Sequence, residues 1–178
     1  MRNPKVFAFA ITTVTLSLAL SGAALADDDV VKAQQTLAVF LKTDPGLNRF
    51  VESAAGYAVF PKVGKGGVGV GGAHGSGVLF ARGGVPLARA KLNQVSVGLQ
   101  LGGQTFSEII FFETPKALSE FQSGDFSMTA EVSAVALAAG ASKSAKYASG
   151  VAVFTATTSG LMFEASVGGQ KFSTKPLK

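Results

Sequence analysis

The sequence predicts an α+β domain: a curved antiparallel β-sheet or barrel-like core, with N-terminal helices and one short inserted helix. Three observations predict it. Apolar residues recur at helical spacing in the N-terminal part of the chain. From Gly56 the pattern changes to glycine-punctuated runs of β-favouring residues. Thr114-Pro115 then interrupts those runs with a helix start.

The first helix is predicted around Val30, Ala33, Leu37, Phe40 and Leu41, with Lys32, Gln34, Gln35 and Lys42 on its other face. The acidic triplet Asp27–Asp29 lies where a helix N-terminus prefers negative charge. Asp44-Pro45 reads as a stop and a restart, Asp as N-cap and Pro at the first helical position. A second short helix then carries Leu47, Phe50, Val51 and Ala54 on one stripe.

Strands are predicted at Tyr57–Phe60, Val68–Val70, Val78–Arg82, Val95–Leu101 and Phe106–Glu113. The alternation of Val95, Val97, Leu99 and Leu101 with polar or small residues marks a half-buried strand. The continuous run Ile109–Phe112 marks one buried on both faces. Thr114-Pro115 opens a short helix with Leu118 and Phe121 inward, and Gly124 closes it. Thr129–Ala139 is taken as strand, although its alanines also permit helix. Val151–Thr155 and Leu161–Val167 read as the last main pair. Two internal echoes, Gly56–Phe60 with Gly150–Phe154 and Leu101–Ser107 with Val167–Ser173, suggest two similar hairpins in one sheet.

The N-terminus has the order of a secretory signal: Arg2 and Lys5, an uncharged stretch from Val6 to Ala26, then Ala24-Leu25-Ala26 before Asp27. A membrane anchor is the alternative, but Thr12, Thr13, Thr15, Ser17 and Ser21 dilute the stretch. The expected organisation is a cleaved signal peptide at 1–26 and one domain at 27–178. The product would be exported, to the periplasm or the periphery of the envelope membranes, or secreted. The 152 remaining residues suit a single core. The absence of cysteine removes thiol nucleophiles, lipidation and Cys-ligated metals.

Charge is uneven. Residues 53–107 contain no acid but five bases, Lys62, Lys65, Arg82, Arg89 and Lys91, whereas 108–178 balance at six and six. An acid-free stretch of this length inside a folded domain suggests an electropositive face. Bases scattered around a barrel for solubility are the competing account.

Catalytic constellations are poorly offered. The run Gly64–Gly77 matches a dinucleotide fingerprint as text at Gly67, Gly69 and Gly72. However, it leads into strand-like Val78-Leu79-Phe80, with no acid until Glu108 to hold a ribose. Glycines that let another backbone approach closely explain it better. His74 is the only histidine, so no ordinary zinc site is expected, and it reads as a turn residue in a glycine loop. No Gly-x-Ser-x-Gly elbow accompanies it. A cleft holding His74 beside a carboxylate and a serine would reopen a hydrolase reading. Fourteen phenylalanines are enough to fill a core or to leave an apolar patch. Modest charge and scarce Tyr and Trp argue against nucleic acid. The scarcity of Tyr and Trp, with no terminal aromatic in Pro176-Leu177-Lys178, argues against a membrane barrel as well.

The segment Ala55–Arg82, containing Gly-Tyr-Ala-Val-Phe-Pro-Lys-Val-Gly-Lys-Gly-Gly-Val-Gly, resembles the hallmark of the SYLF-domain family. Ser96–Gln104 and Gly160–Gln170 resemble its later blocks. The chain is similar to the stand-alone secreted bacterial branch. The resemblance implies lipid binding; eukaryotic members recognise phosphoinositides and some contact actin. For an exported bacterial chain it implies affinity for anionic phospholipid. The expected function is therefore a non-enzymatic envelope protein that binds anionic headgroups through a basic face of Lys62, Lys65, Arg82, Arg89 and Lys91. No catalytic residue, metal or cofactor is expected. The alternative is a structural or protein-partner-binding module of the envelope.

Overall fold

The computed structural model describes residues 20–68, 70–97, 103–128, 132–159, 167 and 169–177. Helix α1 spans Leu20–Thr43, α2 Asn48–Ser53 and α3 Pro115–Ser123. The strands are β1 Gly56–Val68, β2 Val70–Ala81, β3 Pro86–Val97, β4 Gly103–Phe112, β5 Ala134–Ala136, β6 Val151–Ser159 and β7 Gln170–Pro176. They form one sheet in the order β5-β6-β4-β1-β2-β3-β7, antiparallel except for the short parallel pair β5–β6.

The sheet curls strongly. Strands β4 and β7 are separated by β1, β2 and β3, which in a flat sheet would place them about 19 Å apart. Yet Gln170 Nε2 donates to Glu108 Oε2 at 3.0 Å across the concave side. The Phe60 and Phe172 rings, from β1 and β7, lie 5.9 Å apart. After α3 the chain first pairs with β7: Ser127 bridges Lys171, and the Met128 N–H donates to the Gln170 carbonyl at 3.0 Å. It then supplies β5 beside β6, so this one segment touches both ends of the sheet. Among the described residues the strands themselves do not close. The sheet is an open, curled one with a strap at its mouth, not a hydrogen-bonded barrel.

Both faces carry a core. The concave core includes Phe60, Val63, Leu92, Phe106, Ile110, Phe112 and Phe172, with Phe121 of α3 inserted. The Phe121 ring lies 4.8 Å from both Phe112 and Phe172. On the convex side, Ala33 and Phe40 of α1, Leu47, and Phe50 of α2 pack on Val59, Val78, Phe80, Phe111 and Phe154. Every described phenylalanine is buried or half-buried, so the aromatic richness serves packing. No helix among the described residues is long and apolar enough to cross a membrane.

The local helix signals act as expected. Asp44 caps the 3-10 turn Pro45–Leu47, its Oδ1 accepting from the Gly46 N–H at 3.1 Å. Its Oδ2 accepts from the Ser142 N–H at 2.7 Å, tying the helical flank to the loop that follows β5. Arg49 holds the same loop by donating to the carbonyls of Ser142 and Ala145. Thr114 Oγ1 caps α3 at the Ala117 N–H, and Gly124 ends it at φ +83°, a conformation that favours glycine.

Several expectations need correction. Helix α1 starts before Ala24-Leu25-Ala26, so Asp27–Asp29 lie within the helix rather than at its N-terminus. The short strands predicted at Tyr57–Phe60 and Val68–Val70 belong to two long strands, β1 and β2. His74 is not in a turn; it lies in mid-β2. Strand β3 starts at Pro86 rather than Val95, and residues 98–101 of that prediction lie outside the described ones. The strand at Thr129–Ala139 shrinks to Ala134–Ala136 within its described part. Residues 160–166 are not described; β6 pairs with β4 and β5, while β7 pairs with β3.

The echoes divide. Gly-Gly-Gln-x-Phe-Ser places Gln104 and Phe106 on the concave face of β4, and Gln170 and Phe172 on that of β7, as two equivalent strand starts should. The Gly56–Phe60 echo is out of phase. Tyr57 pairs with Phe111, which pairs with Ala152 rather than Val151. That one-residue offset turns Phe60 to the concave core and Phe154 to the convex one.

Candidate functional site

The convex face is covered over β4, β6 and the first half of β1, and bare over β3 and β7. Alternation decides what the bare part displays. On β3, Ala88, Ala90, Leu92 and Gln94 point to the concave side and are buried. Arg89, Lys91, Asn93 and Val95 therefore point outward. On β7 the same rule sends Gln170 and Phe172 inward, and Lys171, Ser173 and Lys175 out into solvent.

Register then assembles rows across the strands. Lys62, Ser76, Lys91 and Ser173 form one row. Gly64, His74, Asn93 and Lys171 form the next, and Arg89 pairs with Lys175 in a third. Neighbours within a row are about 4.8 Å apart and rows repeat every two residues, about 6.6 Å. Five cations, Lys62, Arg89, Lys91, Lys171 and Lys175, thus share one face. Among the described residues acid reaches it only from α1: Asp29 pairs with Arg89 at 3.1 Å, and Asp28 pairs with Lys32 one turn along the helix.

The five bases singled out from sequence are split. Lys62, Arg89 and Lys91 share this face. Lys65 pairs with Ala73 of the concave core, so it belongs to the opposite face and is half-buried. Arg82 sits at the far end of β2, where Nε donates to the Ala54 carbonyl and Nη2 to the Ser53 carbonyl, both at 2.8 Å. It fastens the C-terminal end of α2. Lys171 and Lys175 were missed, because they belong to the charge-balanced part of the sequence and join the face only through β3–β7 pairing.

Where α1 lifts off the sheet, a cleft of about 490 Å³ opens between the helix and β1–β2. Asp29 and Lys32 form its helix wall. Pro61, Lys62, Gly64, His74, Gly75, Ser76 and Gly77 form the sheet side. The glycines do two jobs. A Cβ on Gly77 would stand 2.3 Å from the Val59 carbonyl oxygen, so close strand packing requires glycine there. A Cβ on Gly64 would meet nothing within 4 Å, so glycine there leaves the cleft open.

The cleft does hold a histidine, a carboxylate and a serine, but they are not wired as a triad. His74 Nδ1 lies 2.8 Å from Asn93 Oδ1, and the Asp29 carboxylate is directed at Arg89. No hydrogen bond joins Ser76 to His74 among the described residues. What the cleft offers is cations and donors around open space.

One strongly perturbed group lies elsewhere. Burial pushes the Glu108 carboxyl from 4.5 up to about 7, against the opposing pull of the Gln170 hydrogen bond. It faces the concave interior opposite Thr155 of β6, and both are buried.

Comparison with known proteins adds one match. The family model Ysc84, described as "Las17-binding protein actin regulator", matches residues 93–176, from the second half of β3 to the end of β7. No curated protein matches the chain. The matched stretch contains Lys171 and Lys175, while the hallmark-like segment 55–82 and the cleft precede it. Residues 93–176 of the chain thus match the Ysc84, or SYLF-domain, family, and the motifs Ser96–Gln104 and Gly160–Gln170 fall within that stretch.

Proposed function

We propose that the domain is a non-enzymatic, exported envelope protein that docks reversibly on anionic phospholipid through the bare convex face. One observation carries this reading: four exposed lysines, Lys62, Lys91, Lys171 and Lys175, share an uncovered face with half-buried Arg89 at its edge, and β1, β2, β3 and β7 contain no acidic residue. Lys62, Arg89 and Lys91 are joined there by Lys171 and Lys175. Lys65 and Arg82 take no part, one facing the wrong side and the other occupied in fastening α2.

Each lysine or arginine near an anionic surface contributes on the order of 1 kcal/mol, screened by salt. Docking of this kind is weak and reversible. The basic start, apolar stretch and Ala24-Leu25-Ala26 of the N-terminus support an envelope lipid as the partner. Co-sedimentation with vesicles tests it. Recovery should be higher on anionic than on zwitterionic vesicles and should fall as salt is raised. Equal recovery on both, or indifference to salt, sinks the electrostatic reading.

A protein partner is the second reading. Val95, 76% exposed on the same face, favours it, as does a family description that names a protein-binding regulator. Capture of one stoichiometric protein, with no lipid retained, would select it.

A further inference from the structure

We infer that the cleft between α1 and β1–β2 is a seat for a phosphate monoester, the bare phosphate headgroup of an anionic lipid such as phosphatidic acid. The inference rests on the docking reading for the lipid, and goes beyond it in replacing diffuse attraction by a shaped site. Lys32 and Lys62 line the cleft from opposite walls, with the Ser76 hydroxyl and His74 on its floor. Asn93 accepts the hydrogen bond at His74 Nδ1, which leaves Nε2 as the ring's second position for a ligand.

The chemistry favours a monoester over a diester. A monoester phosphate carries up to two negative charges near neutral pH and three terminal acceptor oxygens. Those match two ammonium groups on opposite walls together with a hydroxyl donor. A diester offers one charge and two free oxygens, with a substituent on each side to be accommodated. The acids at the rim are already occupied. Asp29 is held by Arg89, and the exposed Asp28–Lys32 pair is of the kind worth little in water, so a phosphate can displace it.

Gly64 supplies a test that leaves every charge in place. Its backbone is not in the left-handed region and an added Cβ meets nothing, so Gly64→Leu should fold normally and fill the cleft. Ser76→Val, also on the exposed side of β2, is a second uncharged block. The purified protein and both variants are titrated with vesicles of phosphatidic acid or phosphatidylglycerol, matched for surface charge. The parent chain should prefer phosphatidic acid by about tenfold, a difference of the size one charge-assisted contact supplies. Both variants should lose that preference while keeping their phosphatidylglycerol binding. Equal affinity of the parent chain for the two lipids overturns the inference, as does a preference that survives in the variants, while the docking reading stands in either case. If neither vesicle is bound, the docking reading fails and titration with inorganic phosphate decides. Binding that Gly64→Leu abolishes supports the cleft with a soluble phosphate as its ligand, and no binding overturns it.

Discussion

In the half of the sheet built by β4 and β6, both faces are covered. Ile110, Phe112 and Val153 meet the concave core, and Ile109, Phe111 and Phe154 meet the helical flank. In the half built by β3 and β7, only the concave face is. Ala88, Ala90, Leu92 and Phe172 are buried there, while the convex positions between them are Arg89, Lys91, Asn93, Lys171, Ser173 and Lys175. The strands are continuous parts of one sheet, so backbone pairing does not explain the difference. The helical flank reaches β3 only at Arg89, through Asp29, and beyond that contact the sequence has placed lysines where cover stops. A bare face needs only solubility, which scattered charges of both signs provide. Charge of one sign is the feature that calls for a partner.

The comparison can be pressed hardest by deletion. Phe154 is fully buried, with rings of Phe50 at 5.2 Å and Phe111 at 5.9 Å. Phe154→Ala should cost about 3–5 kcal/mol in urea denaturation, by lost transfer energy and an unfilled cavity. Lys91→Ala and Ser173→Ala in the bare half should stay within about 0.5 kcal/mol. A large loss at Lys91 would mean that the bare face is structural.

The next effect is one of pH. Burial raises the Glu108 carboxyl to about 7 in the folded chain, from 4.5. Between those values the unfolded chain releases the proton that the folded chain keeps. Stability therefore falls as pH rises from about 4.5 through 7, and this group's favourable share is fully present only below that window. Glu108→Gln, which removes the charge at nearly constant shape, should flatten this fall and leave the variant more stable than the parent at pH 8. An unchanged pH profile would show that Glu108 is not the group responsible.

Glycines sharpen the comparison at one strand pair. Gly77→Ala should cost about 1–3 kcal/mol, because the methyl group meets the Val59 carbonyl oxygen at 2.3 Å. Gly64→Ala, where nothing stands in the way, should be neutral or slightly stabilising. The substitution Arg82→Ala acts at the end of α2 instead. It removes two hydrogen bonds to the end of α2 and should cost about 1 kcal/mol of stability with vesicle binding unchanged.

The sequence was most legible where structure is local. Asp44-Pro45 and Thr114-Pro115 mark helix starts because cap and first turn lie within four residues, and both fold as their chemistry dictates. Strand extent was harder. Glycines at 64, 66 and 67 break the apolar alternation of β1, yet backbone pairing runs straight through them. The first part of β3 gave no apolar alternation, since its inward residues at 88 and 90 are alanines and its outward ones are charged. The face itself was half legible. The acid-free stretch pointed to Lys62, Arg89 and Lys91, but counting charge along the chain cannot say which side of a strand a residue occupies. That put Lys65 and Arg82 in the set. It also left out Lys171 and Lys175, which lie some 80 residues from Lys91 in sequence but are its neighbours in space.

The most direct test of the bare face compares two variants of equal charge change. One carries Lys62→Ala, Lys91→Ala and Lys171→Ala on the convex face. The other carries Lys42→Ala, Lys116→Ala and Lys143→Ala, exposed positions away from it. In co-sedimentation with anionic vesicles, at about 1 kcal/mol per lysine, the face variant should lose on the order of a hundredfold in affinity or more. The control should stay close to the parent chain. Equal losses in the two variants would show that net charge alone attracts the protein to the surface, and would contradict the account of the bare face as its docking side.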